Sequence, residues 1–502
     1  MSQHRRAPLV TDTYSPSCCS PRCRHLVKEF TSGAARSDTP TRPRLHRDPS
    51  GALSERIEPQ ASEHLLNTIL DGGVADFISG DLSSPLNRPL TLAILGAGAR
   101  GTAYAELAAK RPAVAQVVAV AEPHARVRED FVARHGVESA LSFADWRDLL
   151  GRPRLADVAV VAVLDADHVA AAVGLADLGY QILLEKPMAT TEADCEAVAA
   201  AARRNNTALA LAHVMRYTPY TVKLKQLLAE GAIGEIVSVQ HLEPIGYYHF
   251  AHSFVRGNWH REDETAPLLL AKSCHDLDWI ADVVGDKVRR VSSFGSLTHF
   301  RPEAAPAGAT DRCLTCPLQD TCAYSATRLY RTGLREGGTK QYFANVMTAG
   351  VLTEGAVTAE LAEGRYGRCV YHAANDVVDH QVVNLEFANA VTASFTLTAF
   401  TPLENRHTKI FGTRGQLTGD CRHIEIYDFR TETRTVHDTS LDGSSAAEGH
   451  AGGDAAMFNA FLDALHGGRP ELIVSGVEAG LAGHRVVFAA ERARHSGRVV
   501  TL

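Results

Sequence analysis

The chain has 502 residues, 45% of them hydrophobic and 22% charged, an ordinary balance for a globular protein with room for two or three domains. A formal net charge of −7 argues against a general affinity for nucleic acid or an anionic membrane surface. The lack of an apolar run long enough to cross a bilayer excludes an integral membrane protein, and without a secretory apolar segment at the start a cytoplasmic, reducing location is expected.

Residues 1–60 are rich in Arg, Ser, Pro and Thr and lack apolar periodicity, so they are expected to be a disordered leader. From Ser62, the residues Leu65, Leu66, Ile69 and Leu70 fall at helical spacing, which predicts a short helical lead-in over 61–87.

The next segment, 88–212, carries the strongest pattern. An apolar run, Thr91–Leu95, meets Gly96-Ala97-Gly98-Ala99-Arg100-Gly101 and then a helical pattern. A G-x-G-x-x-G turn between strand and helix suits a dinucleotide: the first glycine makes the turn, the second admits the pyrophosphate and the third lets helix and strand pack closely. A second apolar run ends at Glu122, at the offset where an acidic residue receives the ribose hydroxyls and disfavours a 2′-phosphate. NAD is therefore expected over NADP. Strands at 158–163, 181–184 and 208–211 alternate with helices, so an α/β, doubly wound parallel sheet is predicted. At the end of its strand, Glu185-Lys186-Pro187 stands where the reactive end of the cofactor should lie.

The glycine turn, Glu122 and Glu185-Lys186-Pro187 together resemble the glucose-fructose oxidoreductase, inositol dehydrogenase and MocA (Gfo/Idh/MocA) family, over roughly residues 88–502. The resemblance implies that Lys186 lies beside nicotinamide and substrate, with an often cis bond to the proline. It also implies that 213–502 forms a substrate and oligomerisation domain with an open, mainly antiparallel sheet, entered through the segment of Arg216 and Tyr217. A homo-oligomer is expected.

Residues 247–260 concentrate aromatic, His, Arg and Asn groups, including His249, His252, Asn258 and Trp259. They suit a polyhydroxylated substrate and equally a well-packed loop. The run Leu268–Ile280 reads as a helix with His275 and Asp278 on one face. It resembles the family's D-x-x-x-H catalytic helix, with His275 matching the histidine. The family's aspartate would fall at Ala271, a departure from the pattern, with Lys272 beside it.

Farther on, a Cys-rich insertion at about 300–372 holds Cys313, Cys316 and Cys322, with Cys369 as the fourth candidate ligand. Four thiolates predict a structural zinc clip, against disulfides, free thiols or an iron–sulfur cluster. A Ser/Gly-rich stretch at 440–453 is expected to be mobile.

These features predict an NAD-dependent oxidoreductase acting on a secondary hydroxyl of a sugar, polyol or related carbohydrate. His275 would be the base, Lys186 would hold the substrate oxygen and Asp278 would assist. Two alternatives are redox-neutral NAD-dependent glycoside cleavage or epimerisation, and a non-catalytic NAD-binding protein.

Overall fold

The computed structural model describes residues 53–56, 85–440 and 452–502. The expected helical lead-in, the Ser/Gly-rich stretch and most of the leader fall almost wholly outside that set. Four residues of the leader form an edge strand, β1 (Leu53–Arg56). Both sheets lie within one unit of the chain, Leu45–Leu502.

The apolar runs of the first half become β2 (Leu90–Leu95), β3 (Ala115–Ala121), β4 (Ser142–Phe143), β5 (Val158–Val161), β6 (Gln181–Leu184) and β7 (Leu209–Leu211). They form a six-stranded, wholly parallel sheet in the order β4-β3-β2-β5-β6-β7. Their side chains are buried on both faces because helices cover each side, among them α1 (Ala99–Ala109), α2 (Ala125–His135), α3 (His168–Asp177) and α4 (Glu192–Arg204). The strand order reverses between β2 and β5, and ligands of such sheets bind beyond the carboxyl ends at that point.

The second sheet has ten strands. After β8 (Ile236–Pro244) and β9 (Val288–Ser296) come β10 (His380–Phe387), β11 (Thr392–Thr398), β12 (His407–Gly412), β13 (Gly415–Gly419), β14 (His423–Asp428), β15 (Thr433–Asp438) and β16 (Val500–Thr501). The order is β1-β15-β14-β13-β12-β8-β11-β10-β9-β16. It is open and mainly antiparallel, the exceptions being β11 with β8 and β1 with β15. One face packs on helix α5 (Leu268–Val284), whose Trp279 is buried, stacks on His241 of β8 and donates from Nε1 to Thr221 Oγ1 at 2.9 Å. The insertion folds as three helices, α6 (Ala326–Glu336), α7 (Gly338–Met347) and α8 (Glu354–Ala362). The chain closes through helices at Gly453–Gly467 and Val477–Ser496. Among the described residues no helix is long and apolar enough to cross a membrane.

Candidate functional site

The glycine turn has the geometry that its spacing predicts. Gly96 sits at φ +88, and a Cβ there would lie 2.4 Å from the Ala162 carbonyl oxygen. A Cβ on Gly101 would lie 1.9 Å from the Gly96 carbonyl oxygen, so α1 can approach β2 only with glycine there. Gly98 differs, since a Cβ on it would meet nothing within 4 Å. The space beyond it, at the N-terminus of α1, suits a pyrophosphate, and the residues present therefore fit a dinucleotide.

Glu122 ends β3 beside this turn. It is buried, and its carboxylate accepts from the Ala97 N–H at 2.9 Å and the His124 N–H at 2.9 Å. Arg100 turns back from the turn and pairs with Glu185 and Asp454, each at 2.6 Å, and donates to the Tyr104 hydroxyl at 2.6 Å. A guanidinium so neutralised does not offer a free charge to a 2′-phosphate. Burial would raise the Glu185 carboxyl, yet Arg100 and the Tyr104 hydroxyl hold it below the usual range.

Lys186 follows β6, with a cis bond to Pro187. Its Nζ donates to the Ala271 carbonyl at 2.6 Å, joining the parallel sheet to α5 at the position where the family pattern would put an aspartate. Helix α5 is kinked two residues later, at Ser273 (φ −117, ψ 15). A kink opens the backbone hydrogen-bond ladder and leaves carbonyls in need of another donor. Lys186 donates to a carbonyl beside the kink.

His275 lies just past the kink and is buried. Its ring centroid is 5.7 Å from that of His213, which follows β7, and His213 in turn stacks on His484 at 5.5 Å. Lys186 and His213 thus project from the ends of neighbouring strands, and α5 meets both through Ala271 and His275.

Asp278 shares the helix face of His275, as the spacing predicts, but its carboxylate is engaged. Arg216 Nε and Nη2 bind it at 2.8 Å each, and His213 Nδ1 lies 3.0 Å away. Against the effect of burial, Arg216 and His213 hold this carboxyl well below its usual range. Arg216 also reaches Asp282 at 2.9 Å, and Tyr217 bonds with Ser475, so both side chains are tied into the junction of the two sheets.

The donor atoms of His213, Cys274 and His484 lie within 4.8 Å of one another. They are poor metal ligands all the same. His484 uses Nδ1 on the Gly480 carbonyl and Nε2 on the Met188 N–H, at 2.8 and 2.9 Å, and burial pushes its pKa down to about 3 and the Cys274 thiol up to about 12.

Lys272 heads a buried chain of alternating charges. It pairs with Glu243 at 2.8 Å, Glu243 pairs with Arg406 at 2.9 Å, and Arg406 reaches Asp276, which His241 also meets at 3.1 Å. Burial, with the Lys272 ammonium acting in the same direction, holds His249 well below the usual histidine range.

The rest of the 247–260 segment divides its side chains. His252 faces the insertion, bonded to the Tyr330 hydroxyl at 2.9 Å and packed on Phe343 and Tyr366, and burial lowers its pKa to about 3. Asn258 accepts from Arg365 at 2.9 Å on an exposed edge. Trp259 reaches back to the parallel sheet, donating from Nε1 to Asp165, just past β5, at 2.8 Å. Cys313, Cys316, Cys322 and Cys369 come together around one small cavity. Asp165 and His213 are not among the residues that the motifs single out, although each follows a parallel strand at its carboxyl end.

Two family profiles match the chain: "Oxidoreductase family, NAD-binding Rossmann fold" over residues 90–213 and "Oxidoreductase family, C-terminal alpha/beta domain" over 225–502. Among curated relatives, YteT of Bacillus subtilis strain 168, which carries an oxidoreductase name, is 25% identical over 360 residues, 67% of this chain and 79% of that protein. Levoglucosan dehydrogenase of Pseudarthrobacter phenanthrenivorans is 31% identical over 160 residues, 30% of this chain and 39% of that protein. Among solved structures, an oxidoreductase from Agrobacterium radiobacter in complex with NAD+, L-tartaric acid and magnesium shares the fold at a TM-score of 0.59 and 16% identity, covering 82% of this chain and 98% of that one.

Proposed function

The chain belongs to the Gfo/Idh/MocA family of NAD-binding oxidoreductases, and from that premise we propose that it oxidises a secondary hydroxyl of a sugar, polyol or related carbohydrate, with NAD as the hydride acceptor. The glycine turn and Glu122 would hold NAD, which when bound would accept the hydride. His275 takes the hydroxyl proton as general base. Lys186 orients the substrate oxygen and stabilises the negative charge that builds on it. Asp278 and Arg216 position His213, and through it the wall against which His275 packs. Lys272, His249 and Trp259 line the substrate side.

The observation that carries this reading is the way Lys186 is held. Its hydrogen-bond partner is a neutral carbonyl and no carboxylate lies within ion-pair distance of its Nζ among the described residues, although Glu185 next to it feels its charge, whereas Arg100, Arg216, Lys272 and Arg406 are each paired directly with carboxylates. Lys186→Ala and His275→Ala should each lower turnover on a carbohydrate panel, followed by NADH absorbance, by about 100-fold or more, with NAD still bound. Near-normal rates in both variants would remove the assignment.

The reading includes a homo-oligomer. In its support, Phe294 on the open face of β9 is 64% exposed. Sedimentation of the wild type and Phe294→Glu tests it: a wild-type monomer refutes it.

A further inference from the structure

The insertion contains a cluster that hydride chemistry does not use. Cys313, Cys316, Cys322 and Cys369 line a cavity of about 20 Å³ together with Arg256 and Tyr324, space for a single water or ion. Three cysteines come from the loop before α6. The fourth is brought in by a bridge between Arg312 and Arg368 and by the Cys369 N–H donating to the Asp311 carbonyl at 2.8 Å.

Arg256 makes the cluster unusual. It is 2% exposed. Its Nε donates to the Arg368 carbonyl at 2.7 Å, and its Nη2 to the Tyr324 carbonyl at 2.7 Å and to Cys313 Sγ at 3.5 Å. Its Nη1 is buried without a hydrogen-bond partner. Among the described residues no carboxylate pairs with it. A buried guanidinium without a counter-anion is costly, and of the groups around it that can become anionic, the thiols and the Tyr330 phenol, the thiols are the more acidic.

We propose that these four cysteines bind one zinc ion as a structural tetrathiolate site, and that Arg256 is its buried counter-cation. Four thiols release their protons to solvent and bind Zn2+, giving a site of formal charge about −2 that Arg256 partly offsets. The four sulfurs do not yet lie within the 4.8 Å mutual spacing of His213, Cys274 and His484, so binding draws them inward to Zn–S contacts of about 2.3 Å. The site ties together both ends of the insertion, which packs on the 247–260 segment through Phe343 against His249 and His252 and through Arg365 on the Arg256 and Gly257 carbonyls. A closed site there fixes the segment that presents Trp259 and His249.

The full chain, purified under reducing conditions without added metal, should contain about one zinc per chain by elemental analysis. Titration with an organomercurial should release it as the thiols react. Cys316→Ser and Cys369→Ser should lose it, while Cys274→Ser retains it. Arg256→Gln keeps all four ligands and should weaken zinc about tenfold against a competing chelator. Because a cysteine variant could fail to fold, cobalt substitution of the wild type gives an independent reading, the thiolate charge-transfer band of a tetrahedral sulfur site. The proposal is overturned by a chain that takes up no zinc even after incubation with it, by cobalt without that band, by metal lost in Cys274→Ser and kept in Cys316→Ser, or by mass spectrometry showing disulfides among the four cysteines.

Discussion

Arg216→Met isolates the ion pair on which the junction of the two sheets rests. In the wild type Arg216 binds both oxygens of Asp278 at 2.8 Å, and Asp278 is 1% exposed. Met keeps much of the side-chain volume and removes the charge, leaving Asp278 with His213 at 3.0 Å. Asp282, the other partner of Arg216, keeps Lys225 at 3.1 Å and adds little. Breaking a buried pair from one side costs about 3–5 kcal/mol, read as a lower urea midpoint with an unchanged slope. The double variant Arg216→Met/Asp278→Leu should recover most of that loss, because it leaves no buried charge unpaired. The carboxyl of Asp278 is depressed in the folded protein, so its contribution is fully present above the unfolded value of about 4 and is lost as pH falls below it toward the folded one. The gap between wild type and Arg216→Met should therefore narrow below about pH 4. A loss of less than about 1 kcal/mol at neutral pH, the size of an exposed pair, would refute the reasoning.

Gly98→Ala should fold with a change under about 1 kcal/mol but weaken NAD about tenfold or more, or about 1.4 kcal/mol, by calorimetric titration, since its Cβ enters the open space over the turn. Gly101→Ala, whose Cβ would lie 1.9 Å from a backbone oxygen, should fail to give a folded domain by circular dichroism. Lys272→Met removes the charge that reinforces burial at His249, so the His249 pKa measured by NMR should rise while staying below the usual range; no movement would sever the two residues. Trp259→Phe keeps an aromatic ring, though a smaller one, and removes the bond to Asp165, which should cost at least about 1–2 kcal/mol in urea; an unchanged midpoint would show that this bond contributes nothing.

What was legible in the sequence is what depends on local pattern. The apolar runs 91–95 and 158–163 read as strands buried on both faces, and the three glycines as a turn at a helix start, whatever lies elsewhere in the chain; the structure sets the strands at 90–95 and 158–161. The cysteine spacing likewise announces the cluster around Arg256, though not the arginine. What stayed hidden depends on distant partners. Leu268–Ile280 contains no Pro or Gly to signal the kink at Ser273, nor the bond from Lys186, 85 positions away, to the Ala271 carbonyl just before it. The spacing puts Asp278 beside His275, but Arg216, 62 positions away, occupies its carboxylate. His252 reads as a substrate contact beside His249 as readily as a packed side chain, and the aromatic side chains of the insertion close over it. Past β12, the hairpins of β13 to β15 are too short and too polar to stand out by alternation.

The departure at Ala271 bears on how the site would work. A carboxylate at that position could form an ion pair with Lys186 and cancel much of its field, as Glu243 does for Lys272. The Ala271 carbonyl fixes the ammonium without a direct ion pair, and only the neighbouring Glu185, itself paired with Arg100, offsets part of its field. Lys186 has three donors, and one is spent on that carbonyl. In the proposed reaction the substrate oxygen would meet a cation already oriented by α5 and held in a partly buried place, where a charge acts more strongly than in water. The energy of ordering the lysine is met in folding, so little reorganisation remains when negative charge develops on the oxygen. By this argument Ala271 at the aspartate position does not imply an inactive protein: the lysine is anchored on the backbone carbonyl of that residue, two residues before the kink at Ser273.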